Sequence, residues 1–95
     1  MNAKAIPLAK FRLGQIVTTP NALELLTSED ILMAITRHQA GDWGELSAED
    51  RIANDQSLID GTRILSAYHS ARGLRFWILT ERDRSVTTVL MPEDY

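Results

Sequence analysis

"TRILSAYHSARGLRFWILTERDRSVTTVLM", residues 62–91, is the stretch that decides the fold. Three runs within it, "TRILSAYHS", "LRFWILT" and "SVTTVLM", are rich in the β-branched and aromatic residues that suit a pleated, half-buried surface. Only "ARG" and "ERDR" separate them. Links that short join neighbouring antiparallel strands, because a parallel crossover needs about a dozen residues or more. The stretch therefore reads as a three-stranded meander, with Gly73 supplying a left-handed turn conformation.

Upstream, the punctuation is helical. Thr19 is placed to cap a short helix that Pro20 opens. Ser28 is placed to cap a second, in which Glu29 and Asp30 complement the dipole and "ILMAITRHQA" runs on to Gly41. Ile31, Ala34, Ile35 and His38 share one face of that helix by spacing. A third helix follows Ser47, carries Asp50 at the capping-box position and ends at Gly61. Its apolar residues Ile52, Leu58 and Ile59 predict a narrow stripe toward the core. Ahead of the helices, "FRLGQIV" at residues 11–17 alternates well enough to be a further strand, with a bulge at Gly14. Residues 1–10 show no periodicity and read as a loose arm, leaving 11–95 as one domain. The expected class is α+β: two to three N-terminal helices packed on one face of a three- to four-stranded antiparallel sheet.

Strand parity sorts the sheet side chains. One set is Ile64, Ser66, Tyr68, Leu74, Phe76, Ile78, Val86, Thr88 and Leu90; with the fewer charges, it is expected to meet the helices. The other is Arg63, Leu65, Ala67, His69, Arg75, Trp77, Leu79, Thr87, Val89 and Met91. Trp77, Arg63, Arg75 and His69 make that second face a candidate binding surface, since tryptophan and arginine concentrate at interface hot spots. The competing reading is that Trp77 is covered by the N-terminal arm or a loop, and that the arginine stems merely shield the sheet.

Composition bounds the function. Ninety-five residues, 44% hydrophobic and 24% charged, make one globular domain. No apolar run approaches the ~20 residues of a membrane span, and no signal peptide is expected. Cysteine is absent, which excludes disulfides, thiolate metal sites and a thiol nucleophile, and fits a cytoplasmic setting. The net charge of −3 conceals a segregation: residues 21–60 carry nine acids against Arg37 and Arg51, while both ends are mildly basic. Helix-start acids account for this, and an acidic docking face is the alternative.

"HQAGDWGEL", residues 38–46, is the segment with the look of chemistry. A metal site would recruit His38, Asp42 and His69, but no HxxxH or HxH spacing occurs. "GDWG" has neither the lysine nor the spacing of a phosphate loop. The segment reads as a corner, with Gly41 ending a helix, Asp42 accepting from the turn backbone, Gly44 reversing the chain and Trp43 as its anchor. An alternative is a metal-independent ribonuclease toxin of the RelE or barnase kind, with His38 or His69 as base and Arg63, Arg75 and Thr87 around the phosphate. DNA binding is not expected, since no helix carries a basic recognition face.

"FRLGQIVTTPNALELL" together with "RHQAGDWGELSAEDRIANDQSLIDGTRILSAYHSARGLRFWILTERDRSVTTVLMPEDY" resembles a family of small bacterial proteins of plasmids and integrative elements. Its members are labelled plasmid-related or type I restriction–modification subunit M. The resemblance covers residues 11–95, and "GDWG", "RILSAY", "DRSVTT" and "MPEDY" are its most specific parts. It implies no stated activity and no catalytic residues, but it does imply a role in plasmid maintenance or interference with host defence. A methyltransferase is rejected, because neither a cofactor-binding βαβ unit nor an NPPY or DPPY motif is present. The expectation is a non-enzymatic domain without cofactor or metal that binds a protein partner or a second copy of itself, with no nucleic acid and no membrane.

Overall fold

The meander forms as expected in the computed structural model, which describes residues 8–95. In chain order the elements are β1 (Gln15–Thr18), α1 (Pro20–Leu25), α2 (Ser28–Gln39), α3 (Ala48–Asp60), β2 (Ile64–His69), β3 (Arg75–Thr80), β4 (Val86–Leu90) and a closing 3-10 turn, Pro92–Asp94. The sheet order is β1-β4-β3-β2. The expected loose arm lies mostly outside the described residues, though Lys10 N–H already donates to Gln39 C=O at 2.8 Å.

The α+β class holds, but the sheet is mixed: β2, β3 and β4 are antiparallel, whereas β1 runs parallel to β4. The reason is topological. Helices α1–α3 carry the chain back so that β2 runs in the same direction as β1, and a three-stranded meander returns β4 in that direction too. Parallel pairing needs such a long crossover. β1 is also shorter than residues 11–17. Phe11 turns inward to stand 5.1 Å from the His38 ring, and Gly14 enters the strand rather than bulging it. At Gly14, with φ +64°, a Cβ would lie 2.2 Å from Ser85 C=O, so the chain passes too close for any side chain.

Thr19 caps α1 as expected, accepting from Ala22 N–H at 3.2 Å. The cap of α2 is Thr27, one residue before Ser28. Reciprocity decides this: Thr27 accepts from Asp30 N–H at 3.1 Å and Asp30 returns the bond to Thr27 N–H at 3.0 Å, while three residues after Ser28 stands only Ile31. The other Asp30 oxygen accepts from Ala71 N–H at 2.9 Å, pinning the start of α2 to the β2–β3 turn. These backbone bonds, Thr27 first, hold the Asp30 carboxyl below the usual carboxylate range.

Ala22, Leu26 and Ala34 of the α1–α2 layer pack on Tyr68, Phe76, Ile78, Val89 and Met91, with Ile31 and Ile35 at the margin. Burying each large side chain of this core is worth roughly 1.5–3 kcal/mol. Two expectations about facing are corrected here. β4 is turned by one residue: Val89 sits opposite Ile78 and Thr87 opposite Thr80, so Thr87, Val89 and Met91 point to the helices while Val86, Thr88 and Leu90 do not. Apolar residues occupy both parities of "VTTVLM", so only the ladder with β3 selects the face. Of the expected α3 stripe only Leu58 is half-buried, while Ile52 is 68% and Ile59 79% exposed, and the buried residues are Asn54 and Ser57.

The polar side of α3 faces inward because it lies along the free edge of β2. Asn54 donates to Leu65 C=O at 2.7 Å and accepts from Leu65 N–H at 3.3 Å, standing in for a neighbouring strand. One residue pair along, Ala67 is served by the corner segment: its N–H donates to Trp43 C=O and its C=O accepts from Glu45 N–H. Arg84, from the β3–β4 turn, holds the far end of α3 through Ser57 and Thr62 carbonyls at 3.0 and 2.6 Å.

Candidate interaction face

The "HQAGDWGEL" segment is built as a corner. Asp42 accepts from Gly44 N–H at 3.2 Å and pairs with Arg37 at 2.6 Å, which holds its carboxyl below the usual range. Trp43 is 3% exposed and donates its indole N–H to Asp55 at 2.9 Å. Gly44, with φ +74°, lies so tightly on β2 that a Cβ would sit 1.9 Å from Ala67 C=O.

His38 lies beneath this corner, fully buried, at the head of a hydrogen-bonded chain. Its Nδ1 is 2.5 Å from Ser66 Oγ and its Nε2 2.9 Å from Thr80 Oγ1. Thr80 continues to Thr87 Oγ1 at 2.8 Å, and Thr87 donates to Leu13 C=O at 2.7 Å. A carbonyl can only accept, so the directions from Leu13 back to the imidazole Nε2 follow from this end. Thr87 gives its proton to Leu13 and accepts from Thr80, Thr80 accepts from His38 Nε2–H, and Nδ1 accepts from Ser66. The imidazole is thereby held neutral in its Nε2–H form. Burial, with a lesser contribution from the Arg84 charge, pushes its pKa down to about 3. Among the described residues no buried side-chain nitrogen or oxygen lacks a partner.

The residues of the nuclease alternative are not gathered. His38 and Thr87 meet through Thr80 inside the domain, while Arg63 and Arg75 have the parity of the opposite sheet face. His69 stands directly across from Arg75 at the other end of that face, with Glu45 on its Nδ1. Among the described residues no three histidine or carboxylate side chains come together to hold a metal ion.

The face turned away from the helices is where the four expected binding residues stand. Leu65 opposes Leu79, Ala67 opposes Trp77 and His69 opposes Arg75. Beside them lie Val86, Thr88 and Leu90 of β4 and Val17 of β1. Trp77 is half-buried, and the Tyr95 ring stands 5.6 Å away, edge to face; the expected cover by the N-terminal arm lies mostly outside the described residues. The closing turn aims Tyr95 there. Asp94 accepts from Thr19 Oγ1 at 2.7 Å and from Met91 N–H at 2.9 Å, tying the turn to the start of α1.

At the β2 start, Arg63 lies over the Tyr95 ring, 5.9 Å from its centre, and 3.6 Å from Glu81. Arg75 reaches Glu45 C=O at 3.3 Å. Thr62, Arg63 and Arg82 line an open cleft of about 320 Å³ beside this end of the face. Tyr95, Glu45, Glu81 and Arg82 are the contributors that sequence reasoning missed. Glu81 alone carried a signal, since it follows "LRFWILT" where a cross-strand partner for Arg63 falls.

No family model, curated protein or solved structure matches the chain. Among the described residues no helix is long and apolar enough to cross a membrane.

Proposed function

We propose that this chain is a non-enzymatic protein-binding domain that receives a partner protein on the sheet face carrying Trp77. The observation that supports this reading is the one-sided layering: α1 and α2 pack on one face of the sheet, and the other presents Trp77 between the Arg63 end and the His69–Arg75 end. Aromatic and arginine side chains on a rigid sheet combine large contact area with directional hydrogen bonding, the pattern of interface hot spots. The setting implied by the resemblance, an accessory protein of mobile elements that acts on host machinery, belongs to this reading.

The test is co-purification from bacterial cells with tagged wild type, Trp77→Ala and Arg75→Glu. The expected result is a set of bound proteins that both substitutions remove while the thermal midpoint changes by no more than about 4–8 °C, the equivalent of roughly 1 kcal/mol for a domain of this size. Retention of the same proteins by both variants overturns the proposal.

A further inference from the structure

Four of the eight arginines are engaged by hydrogen bonds within their own protein. Arg37 holds Asp42, Arg51 holds the Gly44 and Leu46 carbonyls, Arg75 reaches Glu45 C=O, and Arg84 holds three carbonyls. Of the other four, Arg63 and Arg82 are the two that share a cleft. Among the described residues neither Arg63 nor Arg82 makes a hydrogen bond, and the Glu81 oxygen, 3.6 Å from Arg63 Nε, lies beyond bonding distance. Arg63 is nevertheless positioned, because its guanidinium lies over the Tyr95 ring, which also neighbours Trp77. A flat guanidinium held on an aromatic ring keeps its remaining N–H groups free for a planar anion.

Resting on the reading of the Trp77 face as a binding surface, we infer that this cleft is an anion pocket for an aspartate or glutamate side chain of the partner protein. Charge and shape favour a carboxylate. Both charged residues that line the cleft, Arg63 and Arg82, are cationic, which favours an anionic side chain. A phosphate polymer needs a basic track, and this chain has a net charge of −3 with its acids concentrated in residues 21–60. The guanidinium fork matches a carboxylate in two-point geometry. The adjoining Trp77–Tyr95 pair offers an apolar shelf for the residue next to it. The recognised element is an acidic residue flanked by an aromatic or aliphatic one.

The experiment is selection of random dodecapeptides displayed on phage against wild type, Arg63→Gln, Arg82→Gln and Trp77→Ala. Affinities are then measured by fluorescence polarisation, with an oligouridylate as competitor. All four proteins are first checked for equal melting by circular dichroism, and Arg63→Lys or Arg82→Lys replaces the corresponding glutamine variant if it melts early. The expected outcome is enriched peptides with an Asp or Glu beside an apolar residue. Their affinity should fall about tenfold or more in either glutamine variant, and by the same factor when the peptide acid becomes its amide. Enriched peptides that lack an acid, or that bind the glutamine variants equally, while still requiring Trp77, overturn the anion pocket and leave the Trp77 face standing. No enrichment above Trp77→Ala overturns both. Oligouridylate that binds through the same arginines while acidic peptides do not overturns the carboxylate assignment.

Discussion

Lowering the pH from about 7.5 to about 5 tests the buried polar chain directly. His38 is fully buried with its proton held on Nε2, and its pKa is pushed down to about 3. In the unfolded chain an imidazole titrates near 6.5. Between these two values the unfolded state binds the extra proton and the folded state does not, so stability rises with pH across this window and is lost as the pH falls. At pH 5, about 1.5 units below the unfolded value, the loss is roughly 2 kcal/mol. The carboxylates that are held low, Asp30 and Asp42, remain ionised in both states there and contribute little. The assay is urea unfolding followed by tryptophan fluorescence, for which Trp43, 6.0 Å from His38 and 3% exposed, is a built-in reporter. At a slope of about 1–2 kcal/mol per molar urea the midpoint should drop by about 1–2 M. His38→Gln has no imidazole at this site and should lose most of that pH dependence, while the exposed His69 is common to both proteins. Equal pH slopes for wild type and His38→Gln would refute the reasoning.

Three further substitutions separate contacts from exposure. Gly44→Ala places a methyl 1.9 Å from Ala67 C=O at a positive φ, and should cost more than about 2 kcal/mol or abolish folding; wild-type urea stability would contradict the seating of the corner on β2. Asn54→Ala strips both edge bonds from Leu65 and should lower stability by about 1–3 kcal/mol, whereas Ile59→Gln, at a residue 79% exposed, should stay within about 0.5 kcal/mol; thermal melts that reverse this order would mean α3 is held by its apolar side.

The legible parts of this chain were those governed by near neighbours. The two short links that force an antiparallel meander, the Thr19–Pro20 opening of α1 and the Ser47 and Gly61 limits of α3 all depend on residues within a few positions of one another. The misplaced α2 cap was legible too, because Thr27 and Asp30 are three apart and the neighbouring Ser28 has no acid at that distance. Of the candidate site, Arg63, Arg75, His69 and Trp77 follow from strand parity in β2 and β3. Tyr95 does not, because its position depends on Asp94 reaching Thr19 across most of the chain.

What the sequence by itself determined is the set of elements and the class, three helices ahead of an antiparallel meander, since alternation, caps and turn lengths act over single turns or single strands. Tertiary structure alone decided the rest. It set β1 parallel beside β4, chose the facing of β4 from a run apolar on both sides, and turned α3 so that Asn54 meets the β2 edge while Ile52 and Ile59 meet solvent. Each of these outcomes is a competition between surfaces from distant parts of the chain. The deciding quantity is which backbone and side-chain groups would otherwise be buried without partners, and that exists only once the layers have met.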